Sequence, residues 1–241
     1  MVERLHDTQK ARGPIPRGRT MVEQLEIIYE DVNLVVFNKP AGVNFDWVLE
    51  SKPDLIPVHR LDKDTSGIIL FAKNEKSAEY LKSLFQAHQI KKTYLALVVG
   101  NIKNDKGTID LPIGRSKKTP LKRVAVGEQR GKIREAVTEY QVIKRFDDLT
   151  RHNAPALGGY TLVEAYPKTG RTHQIRSHFA AIGHPVVCDK LYAGKKFFCP
   201  SRLTRQFLHA SGLEFNLQSG SRLRLEADLP EDLKTVLKQI Q

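Results

Sequence analysis

The sequence is poor in the residues that staple, metallate or embed a chain. Cysteine occurs only twice, as Cys188 and Cys199, and neither stands in a Cys-x-x-Cys pair, so a zinc knuckle or ribbon is excluded. The eight histidines form no His-Glu-x-x-His pattern, and His173 and His178, five residues apart, would diverge around a helix. No metal site is expected. Aromatic residues make up 7% of the chain, with a single tryptophan. No run approaches the ~20 apolar residues that a bilayer requires. The basic N-terminus is not followed by an apolar segment, so no secretory signal is read there and a cytoplasmic location is expected. Gly-x-Gly-x-x-Gly is absent. Gly127-x-x-x-Gly131-Lys132 is one residue short of a phosphate loop and carries Ile133 where Ser or Thr would hold magnesium. No cofactor is implied.

Positive charge, by contrast, is abundant. Lys and Arg number 39 against 27 Asp and Glu among 241 residues, a net charge of +12. A protein this basic meets a polyanion, with nucleic acid the leading candidate. Over half of the excess is concentrated: Arg115 to Arg134 holds eight basic residues and one Glu, a net +7. Such a run is ordinarily a solvated face, but its concentration favours phosphate contact. The length fits one large domain whose core needs no staple.

Residues 1–22 read as a flexible basic arm, and the domain proper spans 23–241. LEIIYED and NLVVFNKP predict two short strands about a turn at Asp31–Asn33, followed by an irregular stretch from Gly42 to Ile56. The apolar run Gly67–Lys73 predicts a buried strand, and Asn74 caps a helix with Ala78, Leu81, Leu84 and Phe85 on one face. KKTYLALVVG, EAVTEYQVIKRF and YTLVEAY are strands. A basic loop runs from Gly114 to about Arg134, and the connector at 151–159 looks like an insertion. A helix over 172–182 starts at a Thr169 or Thr172 cap. Strands follow near 206–210, 213–217 and 222–227, and a last helix starts at Pro230. Strands succeed one another without intervening helices. The expected class is therefore α+β, a mixed and largely antiparallel sheet flanked by helices.

Two polar clusters stand out, HRLDKDTSG (His59–Gly67) and TGRTHQIR (Thr169–Arg176). Read alone, Asp-Thr-Ser-Gly is turn chemistry and Arg176 a solvated arginine beside an apolar stripe. Together they say more. Lys-Pro-Ala-Gly (Lys39–Gly42), HRLDKDTSG, KKTYLALVVG, GRTHQIR, GHPVVCDKLYAG and FLHA, in that order, resemble the RluA-type RNA pseudouridine synthase family over about residues 25–240.

That resemblance implies isomerisation of uridine to pseudouridine in rRNA or tRNA, without cofactor, metal, membrane or obligate protein partner. It puts the family aspartate on Asp62, as nucleophile or as the base that removes a ribose proton. Arg176 would keep Asp62 charged and oriented, since a cation opposes the desolvation of a carboxylate beneath a base. Tyr94 would stack on the flipped uracil and take part in removing the proton from carbon 5, and Leu208 would wall the pocket. Arg60 would fill the space left by the extruded base. Lys117, Lys118, Lys122 and Arg123 represent the basic grip on the RNA. His59 is expected to brace the Asp62 loop, and Asp64 to cap its turn. No N-terminal RNA-binding domain is read before residue 25, which suggests a local stem-loop substrate. A pure RNA binder would not need Asp62, Tyr94 and Arg176 together.

Overall fold

The computed structural model describes residues 25–147, 158–200 and 203–240. The arm at 1–22 and residues 151–157 of the connector lie outside the described residues. The first hairpin pairs β1 (Ile27–Glu30) with β2 (Leu34–Lys39). Asp31 closes its turn, its Oδ1 accepting from the N–H groups of Asn33 and Leu34 at 2.7 and 2.8 Å. The stretch expected to be irregular contains a short helix, α1 (Asp46–Ser51), and the two-residue β3 (Ile56–Pro57). At six residues α1 is too brief to show periodicity, and it buries only Val48.

Strand β4 (Ser66–Ala72) is buried at every position. Its uninterrupted apolar run serves both faces. Ile68 and Leu70 join Leu34 and Val36 against α2 (Glu75–Gln86), while Ile69 and Phe71 join Val35 and Phe37 over α1. Asn74 caps α2 as its sequence predicts, its Oδ1 accepting from the Ser77 N–H at 2.9 Å. Next come β5 (Lys91–Val99) and β6 (Lys106–Asp110), the latter too polar to be legible as a strand.

The basic segment is not a loop. It folds into β7 (Ile113–Ser116), β8 (Arg123–Val124) and β9 (Gln129–Arg134), a separate antiparallel sheet ordered β8-β7-β9. Its polarity masks the alternation that would identify strands, and the Gln129 amide fastens it to the carbonyls of Pro112 and Val124 at 3.1 and 2.8 Å.

The main sheet is completed by β10 (Val137–Phe146), β11 (Tyr160–Pro167), β12 (Leu208–Asn216) and β13 (Arg222–Glu226). Helices α3 (Gln174–Ala181) and α4 (Glu231–Gln239) bury Phe179, Leu233 and Val236 in the core cluster that contains β5 and β11. The two expected strands near 206–217 are one, β12, carried through by an irregularity between Ala210 and Gly212. The order is β1-β2-β4-β12-β5-β11-β10-β6, with β13 beside β12 and β3 beside β4. Only the β4–β12 pairing is parallel among the described strands, so the α+β class holds. Cys188 and Cys199 form a disulfide with their Cα atoms 4.3 Å apart.

One row of residues crosses the middle of this sheet: Lys39, Gly67, Ala210, Tyr94 and Ala165 are successive cross-strand partners. Small residues thus flank Tyr94 on both sides. Gly67 sits at φ +110°, and a Cβ there would lie 2.2 Å from the Ala210 carbonyl oxygen. Gly67→Ala is therefore expected to cost about 3 kcal/mol or more in urea unfolding. Gly42→Ala, at φ +88° but facing open space, should cost about 1 kcal/mol. Equal losses would contradict the close approach.

Candidate active site

Asp62 ends the segment that precedes β4. Its backbone carbonyl accepts from the Thr65 N–H at 3.1 Å, so the turn is closed by the main chain and not by the Asp64 carboxylate. Behind it lies Lys39, fully buried, whose Nζ donates to the carbonyls of Pro40, Val43 and Lys63 at 2.7, 3.0 and 3.0 Å. One ammonium therefore ties the Lys-Pro-Ala-Gly turn to the Asp62 turn, and burial draws its pKa down to about 8. Thr65 and Ser66 are anchored to β12 and its approach, through Gln206 at 3.3 Å and His209 at 3.0 Å. His59 braces the other side: its Nε2 accepts from the Leu70 N–H at 2.9 Å and its ring stacks on Phe85 at 4.8 Å.

The approach to α3 differs from the expected threonine cap. His173 occupies the cap position with φ +56° and makes no side-chain cap bond. The Gln174 Oε1 instead accepts from the Thr169 hydroxyl at 2.7 Å and from the Arg171 N–H at 2.9 Å. A left-handed histidine is an uncommon conformation of the kind held at functional sites.

From α3, Arg176 reaches Asp62: Nη1 to Oδ2 is 3.1 Å. The rest of its fork is taken by Asp189, Nε to Oδ2 at 2.6 Å and Nη2 to Oδ1 at 3.0 Å. Asp189 is completely buried and also accepts from the N–H groups of Leu191 and Tyr192. The guanidinium carbon lies 5.1 Å from the Tyr192 ring centroid. Although burial lowers the Arg176 pKa, the two carboxylates raise it further, so its charge is permanent. His173 Nε2 stands 3.8 Å from Asp62 Oδ2, with burial holding the imidazole pKa below its ordinary value.

Asp62, His173 and Arg176 face a cavity of about 480 Å³ that is also lined by Arg60, Lys92, Tyr94 and Leu208. The volume is within the range of small-ligand pockets. The Tyr94 phenol has its pKa raised, first by burial and then by the charge on Asp62, so it keeps its proton at neutral pH. Lys92 donates to the Thr169 carbonyl at 2.9 Å, and burial draws its pKa to about 8. Arg60 is exposed at the rim, its guanidinium 5.6 Å from the Phe45 centroid.

The structure thus brings Asp62, Tyr94, Arg176, Leu208 and Arg60 into one cleft. Lys117 and Lys118 are exposed beyond β7, outside that cleft, whereas Lys122 and Arg123 enter and begin β8. Sequence reading missed Lys39, Lys92, Asp189 and Tyr192 as site residues. The only signal for the last two was a carboxylate and a tyrosine three apart in CDKLYAG, with nothing to indicate their partner.

A carboxylate from the turn before β4, a guanidinium from α3 and a tyrosine from β5 thus meet in one cleft, and comparison with known proteins assigns this arrangement to the pseudouridine synthase class. Residues 33–181 match the RNA pseudouridylate synthase family. The chain is 37% identical over 243 residues to ribosomal large subunit pseudouridine synthase D of Nitrosomonas europaea, covering 90% of this chain and 65% of that protein. It is 34% identical over 250 residues to ribosomal large subunit pseudouridine synthase C of Pasteurella multocida, covering 95% and 73%. The solved structure of human RNA pseudouridylate synthase domain containing 1 superposes with a TM-score of 0.72 at 27% identity, covering 91% and 95%. The chain belongs to the RNA pseudouridylate synthase family, as its motifs imply.

His59 gives the site a pH dependence. Burial, with Lys92 adding to it, lowers its pKa to about 3, against about 6.5 for a free imidazole. Below about pH 6.5 the unfolded chain takes up a proton that the folded chain refuses. Stability is therefore lost as pH falls towards 3, at up to about 1.4 kcal/mol per pH unit. His59→Gln should flatten the urea-unfolding stability profile between pH 7 and 5. An unchanged slope would mean that His59 is not held neutral.

Proposed function

We propose that the protein isomerises uridine to pseudouridine at a stem-loop of cytoplasmic ribosomal or transfer RNA, with Asp62 acting on the sugar of an extruded nucleotide. The names of the two bacterial relatives favour large-subunit ribosomal RNA. The observation that carries this reading is the 3.1 Å Asp62–Arg176 pair opening into the same cleft as Tyr94.

The reaction exchanges one bond to the ribose for another. The bond from ring nitrogen 1 breaks, the uracil turns, ring carbon 5 is joined to the sugar, and the proton on carbon 5 is lost while nitrogen 1 gains one. No electrons leave the substrate. The carboxylate of Asp62 supplies the negative oxygen at the sugar, and Arg176 fixes its direction. Tyr94, flanked by Ala210 and Ala165, supplies a flat surface for the turned base. Since its phenol keeps its proton, Tyr94 serves carbon 5 as a hydroxyl that passes a proton on, not as a phenolate. Arg60 at the rim takes the place of the extruded base. The net +7 of residues 115–134 holds the flanking phosphates. The activity requires no membrane and no protein partner.

Purified protein and RNA carrying tritium at uracil carbon 5 test the reading directly. Wild type should release label to water, and Asp62→Asn should release none while keeping RNA affinity within about threefold. Release by the variant would remove Asp62 from the chemistry. Replacing Lys117, Lys118, Lys122 and Arg123 with glutamine should weaken binding and reduce the slope of log affinity against log salt by about 0.7–0.9 for each phosphate no longer neutralised. An unchanged slope would remove the basic sheet from the interface.

A further inference from the structure

Tyr192 is only 6% exposed and lies between the basic sheet and the catalytic cleft. Its hydroxyl accepts from the backbone N–H of Arg123, the first residue of β8, at 2.9 Å. The same oxygen lies 3.1 Å from His173 Nδ1. Two cations approach its ring, Lys122 Nζ at 5.0 Å and the Arg176 guanidinium at 5.1 Å from the centroid. Its own N–H is bound to Asp189, the carboxylate that holds Arg176.

Hydrogen-bond accounting fixes the direction of this chain. A phenol has one proton to give. A backbone N–H can only donate, so toward Arg123 the Tyr192 oxygen is an acceptor; its own buried proton then needs an acceptor, and among the described hydrogen-bond partners of that hydroxyl His173 Nδ1 is the one able to accept. His173 Nδ1 is then the acceptor, and a neutral ring must carry its proton on Nε2, the nitrogen 3.8 Å from Asp62. Burial supports both halves, since it keeps the Tyr192 phenol protonated and the His173 ring neutral. The left-handed backbone at His173 presents the imidazole to both partners.

We propose that Tyr192 is a positioning residue that, held by the backbone of the basic sheet, locks His173 as its Nε2–H tautomer facing Asp62. The seating of β8, the strand that carries Arg123, is thereby joined to the orientation of the catalytic carboxylate. The proposal rests on the uridine-isomerising reading for its effect on rate, but not for the tautomer. Tyr192→Phe is the discriminating variant, because it removes the hydroxyl and leaves the ring beneath Arg176 and Lys122.

In the full chain labelled with ¹⁵N-imidazole, the His173 signals of wild type should show a protonated Nε2 and a bare Nδ1. Tyr192→Phe should move them toward a tautomer mixture. In single-turnover tritium release, the variant should be slower by about tenfold or more, with RNA affinity within about threefold. A protonated Nδ1 in wild type overturns the proposal. So does a variant whose rate matches wild type, or one whose rate and affinity fall in proportion, as a merely loosened basic sheet would give. Wild-type protein that releases no tritium overturns the uridine-isomerising reading itself, whereas an active wild type with an unaffected variant overturns only the role of Tyr192.

Discussion

A single guanidinium shared by two carboxylates organises this protein. Arg176 gives two of its donors to Asp189 and one to Asp62, and the fork geometry dictates that the second carboxylate stands where it does. Asp189 is wholly buried and Asp62 only partly so. The buried carboxylate anchors the arginine, and the arginine presents the partly buried one to the cleft. Within this trio two negative charges meet one positive, and Lys92, Arg60 and Arg171 bring further positive charge to the cleft around Asp62.

The rest of the fold serves that presentation. The two segments that carry Asp62 and Arg176 are fixed by three devices: Lys39 behind the Asp62 turn, the close approach of Gly67 to Ala210 beneath it, and the Gln174 amide at the entry to α3. None of these lies in the cleft with its side chain free. A substitution at any of them should act through position, and a direct loss of a reacting group is not their expected effect. The central row of Gly67, Ala210 and Ala165 leaves Tyr94 standing among small neighbours, where a planar base has room to lie.

Much of this was legible in the sequence, for identifiable reasons. β4 declared itself by an unbroken apolar run, α2 by the Asn74 cap and its apolar stripe, and the cleft residues by motifs in a fixed order along the chain. What was not legible is structure whose cause is not local. The basic sheet has no alternating apolar face, because β9 is almost wholly exposed and the sheet is held by backbone pairing, by Gln129 and by the Tyr192 hydroxyl. The helix α1 is shorter than the period that would reveal it, and β12 reads as two strands because Ser211 and Gly212 interrupt its apolar pattern. The start of α3 is hidden because the usual threonine cap is replaced by a glutamine acting from inside the helix. Asp189 and Lys39 were invisible as site residues, since a buried charge is recognisable only when its partners are known. The disulfide between Cys188 and Cys199 is of the same kind: their spacing excludes a zinc motif but does not bring them together.

The planar fork of Arg176, and not merely its charge, aims Asp62 into the cleft. Arg176→Lys keeps the charge and removes the fork. Single-turnover pseudouridine formation measured beside RNA affinity tests the claim most directly. The expected rate is lower by about a hundredfold, with affinity essentially unchanged. A rate within twofold of wild type, or a loss accounted for by weaker binding, would contradict it.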